Sequence, residues 1–254
     1  DREGVPARAP GGDRRIGGCR GMIFEDRAHA GQLLARELAR YAEPDVLVLA
    51  LPRGGVPVGA EIARALKAEL DVVIPRKIGA PGDPELAIGA VSGNGAVILN
   101  EELVRVLGVP EAYIREAAAR ERVEIRRRSL LYRGRQPAPR VKGRTVIVVD
   151  DGIATGYTML AALRGVRQEG PAMLVAAVPV APPDSIAKLE AEADEVVALS
   201  TPSHFFAVGQ FYQDFSQVTD EEVQAILAEA RVPVRPPGPA DDSSPNDGPL
   251  RRPE

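Results

Sequence analysis

The stretch Thr145-Val-Ile-Val-Val-Asp-Asp-Gly-Ile-Ala-Thr-Gly-Tyr-Thr158 decides the fold. Its run of β-branched residues, Val146 to Val149, is typical of a strand that is buried on both faces of a sheet. The chain then turns directly into an amphipathic stretch, which predicts a helix from Thr155 to about Gln168. A doubly covered strand that leads into a helix indicates an α/β domain.

The same alternation of short apolar runs and amphipathic stretches extends on both sides of this segment. It predicts an α/β doubly wound domain with a mainly parallel sheet flanked by helices. The predicted strands are 45–51, 71–75, 86–91, 96–99, 145–149, 173–178 and 195–199. Helices are predicted at 26–41, up to about Leu70, from Asn100, from Pro110, at 155–168 and at 183–193. A last helix follows the capping box of Thr219 and Glu222.

Composition sets limits on the kind of protein. The chain has 254 residues, 44% of them hydrophobic and 27% charged, as expected of an ordinary globular domain. One cysteine, Cys19, and two histidines, His29 and His204, are too few for a zinc site of the Cys/His type. The net charge of −4 argues against binding nucleic acid over the whole surface. Without a long apolar run for a membrane span or a signal core, we expect a cytoplasmic protein.

Both ends of the chain differ in composition from the middle. Residues 1–21 are rich in Gly, Arg and Pro, and residues 233–254 are rich in Pro, Asp and Ser. Such segments bury too little apolar surface to offset the entropy of ordering, so we predict two disordered extensions. The folded domain is then 22–232, with Met22 as the expected natural start.

Asp150 and Asp151 follow the central strand, at the sheet edge where ligands bind in open α/β sheets. Gly152 and Gly156 permit close backbone approach, and the N-terminus of the next helix attracts anions. Thr155 and Thr158 supply hydroxyl groups. Together these groups suit a ligand with vicinal hydroxyls and a phosphate. The plainer alternative is an Asx-type turn that caps the helix. A P-loop is excluded, because the chain contains no Gly-Lys pair.

This segment resembles the binding signature for phosphoribosyl pyrophosphate (PRPP) of the type I phosphoribosyltransferases. The resemblance implies that Asp150 and Asp151 bind the ribose hydroxyls and that the loop up to Thr158 binds the 5′-phosphate. The implied PRPP-binding residues are Asp150, Asp151, Gly152, Ile153, Ala154, Thr155, Gly156, Tyr157 and Thr158. It also implies Mg²⁺ as cofactor, held mainly through PRPP and with no direct protein ligand.

A second turn, Arg53-Gly54-Gly55, follows the strand 45–51 and therefore lies at the same sheet edge. Backbone N–H groups and one arginine make a receptor for pyrophosphate, although by itself the pattern is that of a plain turn. The turn resembles the pyrophosphate loop of the same family, in which the peptide bond before the basic residue is often cis.

Arg76 and Lys77 end the next predicted strand and are placed to neutralise departing pyrophosphate. The Gly- and Pro-rich stretch from Arg76 to Pro84 predicts a mobile loop that closes over the site, with a solvated turn as the alternative. The resemblance supports Lys77 in this role. The catalytic set is then Arg53, Lys77, Asp150 and Asp151.

Each of two further stretches allows two interpretations. Half of the chain's ten Phe and Tyr residues lie between Ser203 and Phe215, where they either stack on a planar base or pack against the last helix; packing is favoured. The helix that starts near Glu111 ends in a basic half, Arg126 to Arg135. We interpret it as a solvated face matched to the helix dipole, with RNA or DNA contact as the alternative.

The resemblance implies an enzyme that transfers the phosphoribosyl group of PRPP to a nitrogen acceptor and releases pyrophosphate. Enzymes of the family that act on 6-oxopurines carry a carboxylate where this chain has Ala154. We therefore expect adenine, a pyrimidine or a non-nucleobase amine as acceptor. The alternatives are a PRPP-sensing regulator that binds nucleic acid and a PRPP-binding protein without turnover. Assembly into a homo-oligomer is left open.

Overall fold

The computed structural model describes residues 22–42 and 45–230. The predicted extensions 1–21 and 233–254 lie outside the described residues. In chain order the elements are α1 (Arg27–Glu37), β1 (Val46–Ala50), α2 (Gly55–Leu66), β2 (Glu69–Val72), β3 (Arg76–Ala80), β4 (Asp83–Val91), β5 (Val97–Leu99), α3 (Glu101–Val106), α4 (Glu111–Arg133), β6 (Thr145–Val149), α5 (Tyr157–Gln168), β7 (Met173–Val180), α6 (Pro183–Glu190), β8 (Glu195–Ser200) and α7 (Asp220–Ala230). Short 3-10 turns lie at Ala39–Tyr41 and Val208–Phe211.

A parallel sheet of five strands, in the order β2-β1-β6-β7-β8, forms the centre of the domain. Strand β6 lies between β1 and β7, and its residues 146–149 are fully buried. Ile147 and Val149 join one core cluster, whereas Val146 and Val148 join the other. The strand is therefore covered on both faces, which confirms the predicted α/β fold.

Helix boundaries follow local backbone chemistry. At the start of α7, Glu222 N–H donates to Thr219 Oγ1 (3.1 Å) and Thr219 N–H donates to Glu222 Oε2 (2.7 Å), so the predicted capping box is confirmed. Helix α2 ends at Leu66 and not near Leu70, because Lys67 takes a left-handed conformation with φ 54°. Helix α5 begins at Tyr157, two residues later than predicted, because Gly156 is left-handed with φ 83°.

The prediction of a loop from Arg76 to Pro84 is wrong. Strand β3 pairs antiparallel with β4, and β5 completes a second, three-stranded sheet. A turn with Gly82 at φ 82° connects β3 to β4, and Tyr113 on α4 donates its hydroxyl to Gly79 O (3.0 Å). The Gly and Pro residues that indicated a loop occupy the turn and the bulged part of the hairpin.

The basic half of α4 is largely paired with acidic groups. Arg127 and Arg128 both contact Glu124, and Arg133 Nε lies 2.6 Å from Asp71 Oδ2. The pair of Arg133 and Asp71 is mostly buried, with 16% and 9% of the side chains exposed. The interpretation as a solvated face therefore fails for Arg133, which ties α4 to the sheet. No helix among residues 22–42 and 45–230 combines the length and apolar character needed to cross a membrane.

Replacing Arg133 with methionine is expected to lower the free energy of unfolding by about 3 kcal/mol, because Asp71 would lose its guanidinium partner in a buried setting. Urea unfolding followed by circular dichroism measures the change. The matched control, Arg127→Met on the same helix, removes an exposed ion pair and should leave the stability nearly unchanged. Equal stability of the two variants would contradict this role of Arg133.

Candidate functional site

Two turns meet at the carboxyl edge of the parallel sheet. Strands β1 and β6 pair in register up to Ala50 and Val149, so the turn after β1 lies beside the acidic pair after β6. A Cβ atom on Gly54 would lie 1.9 Å from Asp151 Oδ2, and one on Gly55 would lie 2.7 Å from Val149 O. A side chain at Gly55 would overlap the backbone of β6, and one at Gly54 would displace the Asp151 carboxylate, so the two predicted motifs lie in close contact.

The Pro52–Arg53 peptide bond is cis, as the family resemblance implies. The N–H of Gly55 donates to Leu51 O (3.0 Å), so this amide is already used within the turn. The predicted role of Gly55 as an amide donor to pyrophosphate is therefore corrected: Gly55 serves the close approach to β6. Arg53 remains partly exposed at the cleft, with its Nη1 4.0 Å from Asp220 Oδ1.

The two carboxyl groups of the acidic pair have different environments. Asp150 Oδ1 accepts the N–H of Asp151 (2.9 Å). Burial raises the pKa of the Asp150 carboxyl well above its usual range, and the negative charge of Asp151 raises it further. Asp151, in contrast, forms an ion pair with Arg27, whose Nε lies 2.8 Å from Asp151 Oδ2.

Sequence reasoning missed Arg27. Its Nη1 donates to Ser216 O (2.7 Å), and its guanidinium lies 4.0 Å from the centre of the Phe215 ring. Arg27 precedes Asp151 by 124 positions, so no local pattern connects them. The sequence feature next to Arg27 is Asp26, the N-cap residue of α1. Asp26 accepts the N–H of His29 (2.8 Å) and so determines where the helix begins.

The aromatic stretch packs against the start of the described chain. Phe24 N–H donates to Phe211 O and Gln213 N–H donates to Phe24 O, both at 2.8 Å. The rings of Phe24 and Tyr212 lie 5.3 Å apart, and Tyr212 donates its hydroxyl to Asp151 O (2.5 Å). Packing is therefore confirmed for Phe211 and Tyr212, but against Phe24 and the acidic turn, whereas the prediction named the last helix. Phe206 is 88% exposed.

The predicted phosphate loop runs from Gly152 to Thr158. Ile153 is buried and its N–H donates to Val180 O (2.9 Å), while Ser185 Oγ donates to Ala154 O (2.8 Å). These two bonds hold the loop from behind. The side chains of Thr155 and Thr158 are exposed at the N-terminus of α5, where they are accessible to an anion.

Two cavities flank the turn at Pro52 and Arg53. The smaller, of about 340 Å³, is lined by Arg27, Arg53, Gly54, Asp151, Phe215, Gln217 and Val218. The larger, of about 710 Å³, lies between α5 and the β3–β4 hairpin. Its lining includes Pro52, Arg76, Lys77, Tyr157 and Thr158. The structure thus places Arg53 in one cavity with Asp151, and places Arg76 and Lys77 in the other with the end of the predicted phosphate loop.

Comparison with known proteins identifies the family of this chain. The family model of the phosphoribosyl transferase domain matches residues 93–216. A Mycobacterium tuberculosis protein, provisionally named phosphoribosyl transferase Rv0571c, is 44% identical over 230 residues, or 90% of this chain. The chain belongs to the phosphoribosyltransferase family. It spans about half (51%) of the length of that curated relative.

A solved structure is also similar to this phosphoribosyltransferase-family chain. The crystal structure of TT1426 from Thermus thermophilus is 52% identical, with a TM-score of 0.75. The similarity covers 82% of this chain and 99% of that protein. The family model itself begins after Arg27 and Arg53, so these two cleft residues lie outside the matched range.

Gly54→Ala is expected to lower the free energy of unfolding by roughly 1–3 kcal/mol, because the added methyl group overlaps the Asp151 carboxylate. A double-mutant cycle with Asp151→Ala, measured by urea unfolding, isolates this contact. Gly54→Ala should cost much less in the Asp151→Ala background. Equal costs in both backgrounds would show that the penalty arises elsewhere in the turn.

Proposed function

We propose that this member of the phosphoribosyltransferase family transfers the 5-phosphoribosyl group of PRPP to a nitrogen acceptor and releases pyrophosphate. The observation that carries the proposal is the contact of the Arg53-Gly54 turn with Asp151. This contact brings together in one cleft a carboxylate that can accept hydrogen bonds from ribose hydroxyls and an arginine that can bind a diphosphate. The exposed hydroxyls at the start of α5 supply the third element, a phosphate site.

The sugar is positioned by the groups at the carboxyl ends of β1 and β6. Asp150 and Asp151 accept hydrogen bonds from the two ribose hydroxyls. The loop from Gly152 to Thr158 binds the 5′-phosphate through hydroxyl groups and N–H groups at the helix N-terminus. Fixing both ends of the ribose phosphate holds C1 in one place, which is where positioning contributes most to the rate.

The leaving group faces the cationic side of the turn. Arg53 offers a fork of donors to phosphate oxygens, and Arg76 and Lys77 approach from the large cavity on the other side of Pro52. A lone pair on the acceptor nitrogen forms the new bond to C1, and the nitrogen then gives up its proton to water. The bond from C1 to the pyrophosphate oxygen breaks, and its electron pair leaves with pyrophosphate. The positive charge that develops on the sugar is stabilised by the nearby carboxylates.

The residues present fit Mg²⁺ only in a role shared with the substrate. No group of three or more His, Cys, Asp or Glu side chains gathers at one point within 22–42 and 45–230. The oxygens of Asp150 and Asp151 are the protein groups nearest to the proposed ribose site. When bound, the ion supplies charge neutralisation to the diphosphate, and it takes most of its ligands from PRPP and water.

The acceptor that we propose is the one that the sequence predicts. Ala154 offers no carboxylate to exchange a proton with a purine ring nitrogen, and its carbonyl is held by Ser185. This favours adenine, a pyrimidine or a non-nucleobase amine over a 6-oxopurine. A nucleic-acid-binding regulator is less well supported, because Arg127, Arg128 and Arg133 of the basic half of α4 already pair with acidic side chains.

The double variant Asp150→Asn with Asp151→Asn is expected to abolish PRPP binding, because both carboxyl groups proposed to accept the ribose hydroxyls are lost. Isothermal titration calorimetry with PRPP and Mg²⁺ measures it. The matched control is Asp184→Asn, an exposed acid in the first turn of α6, which should bind PRPP as the unchanged protein does. Unchanged affinity in the double variant would refute the assigned site.

A pyrophosphate-release assay with PRPP across hypoxanthine, guanine, xanthine, adenine, uracil and orotate tests the acceptor. The 6-oxopurines should be turned over at least about 10²-fold more slowly than the true acceptor, since Ala154 supplies no general base. Simple amines complete the panel. Fast turnover of hypoxanthine or guanine above all others would overturn this assignment, and release with none of the acceptors would oppose the catalytic role.

A further inference from the structure

We infer that Arg27 is a positioning residue, which aims the Asp151 carboxylate into the cleft. The consequence for PRPP binding rests on the proposed function. The contacts that position Asp151 do not, because they lie within the protein.

The guanidinium of Arg27 is fixed by three contacts to two segments that are distant in the chain, at Asp151 and at residues 215–216. It contacts Asp151 through Nε, Ser216 O through Nη1 and the Phe215 ring through its face. Only 11% of the Arg27 side chain and 14% of the Asp151 side chain are exposed. Pairs this well shielded from water are weakly screened, and a planar fork with a stacked face is a geometry that lysine does not reproduce.

The contact also determines where Asp151 points. Oδ2 faces both Arg27 and the Cα of Gly54, so it is confined between a cation and a glycine. The backbone on the other side is held as well, because Tyr212 donates its hydroxyl to Asp151 O. Rotation of the carboxylate away from the cleft would break the contact with Arg27.

The charges around the pair are unequal. The positive groups that face it are Arg27 from α1 and Arg53 from the turn after β1, and the hydroxyl of Tyr212 beside them is neutral. The acidic residues Asp26 and Asp220 lie further away, at the starts of α1 and α7. Burial and the charge of Asp151 raise the pKa of Asp150, and Arg27 opposes this rise. The positive charge of Arg27 thus favours the ionised form of Asp150.

Removing the positive charge of Arg27 changes the pKa of Asp150 in a known direction. Without Arg27 the pKa of Asp150 rises further, so the pair holds its proton to higher pH. If the ribose hydroxyls need a charged carboxylate, affinity is lost as the pH falls through the titration of the pair, and Arg27→Gln moves this loss to higher pH. A merely structural role of Arg27 would weaken binding equally at every pH.

The test compares Arg27→Gln, Arg27→Lys and the control Arg36→Gln, an exposed arginine in the last turn of the same helix. Calorimetry with PRPP and Mg²⁺ between acidic and alkaline pH gives the binding midpoint. Arg27→Gln should shift the midpoint to higher pH and lower the affinity roughly tenfold at neutral pH. Arg27→Lys should keep the midpoint near that of the unchanged protein but bind more weakly.

A second readout needs no ligand. In protein labelled with ¹³C at aspartate carboxyl groups, with Asp150→Asn and Asp151→Asn used for assignment, the pair should titrate at higher pH in Arg27→Gln. An unchanged titration would overturn the inference. A shifted titration in a protein that does not bind PRPP would instead refute the proposed function and leave the role of Arg27 intact. If Arg27→Gln does not fold, the PRPP affinity of Arg27→Lys decides, because binding as tight as that of the unchanged protein would overturn the positioning role.

Discussion

The contact between the turn after β1 and the acidic pair after β6 is the constraint on which the candidate site depends. The strands are neighbours in register, so their carboxyl ends arrive at the same point of the sheet edge. A Cβ atom at Gly54 would overlap the Asp151 carboxylate, and one at Gly55 would overlap the backbone at the end of β6. The missing side chains let the cation of one turn and the carboxylates of the other share a cleft. The α/β core supplies the rigid support, with β6 buried on both faces.

Segments near both ends of the described chain complete the cleft. Hydrogen bonds at Phe24 hold the start of the chain against residues 211–213, and Arg27 and Tyr212 then contact the same aspartate from different sides. The positive charge of Arg27 offsets part of the repulsion within the acidic pair. The site is therefore assembled from at least four separate stretches, although its recognisable motif is a single one.

The larger cavity shows how the second sheet serves the site. The hairpin of β3 and β4 replaces the predicted loop and forms one wall, opposite α5. Arg76 in this wall pairs with Glu121 of α4, so part of its charge is already balanced. The basic residues predicted to bind pyrophosphate thus lie on two sides of Pro52, with Arg53 in the smaller cavity and Arg76 and Lys77 in the larger. A bound diphosphate would have to span this turn to contact all three.

The local features could be predicted from the sequence: the buried strand Thr145–Val149 at its observed boundaries, the capping box at Thr219, the glycines of both turns and the family resemblance that the comparisons confirm. These depend on neighbouring residues, whose spacing is visible in the chain. Three features follow from tertiary contacts instead: the ion pair of Arg27 with Asp151, the hairpin of β3 and β4, and the hydrogen bond of the Gly55 N–H within its turn. Ion pairs across 124 positions leave no local pattern, and Gly and Pro within a bulged hairpin look the same in sequence as a loop.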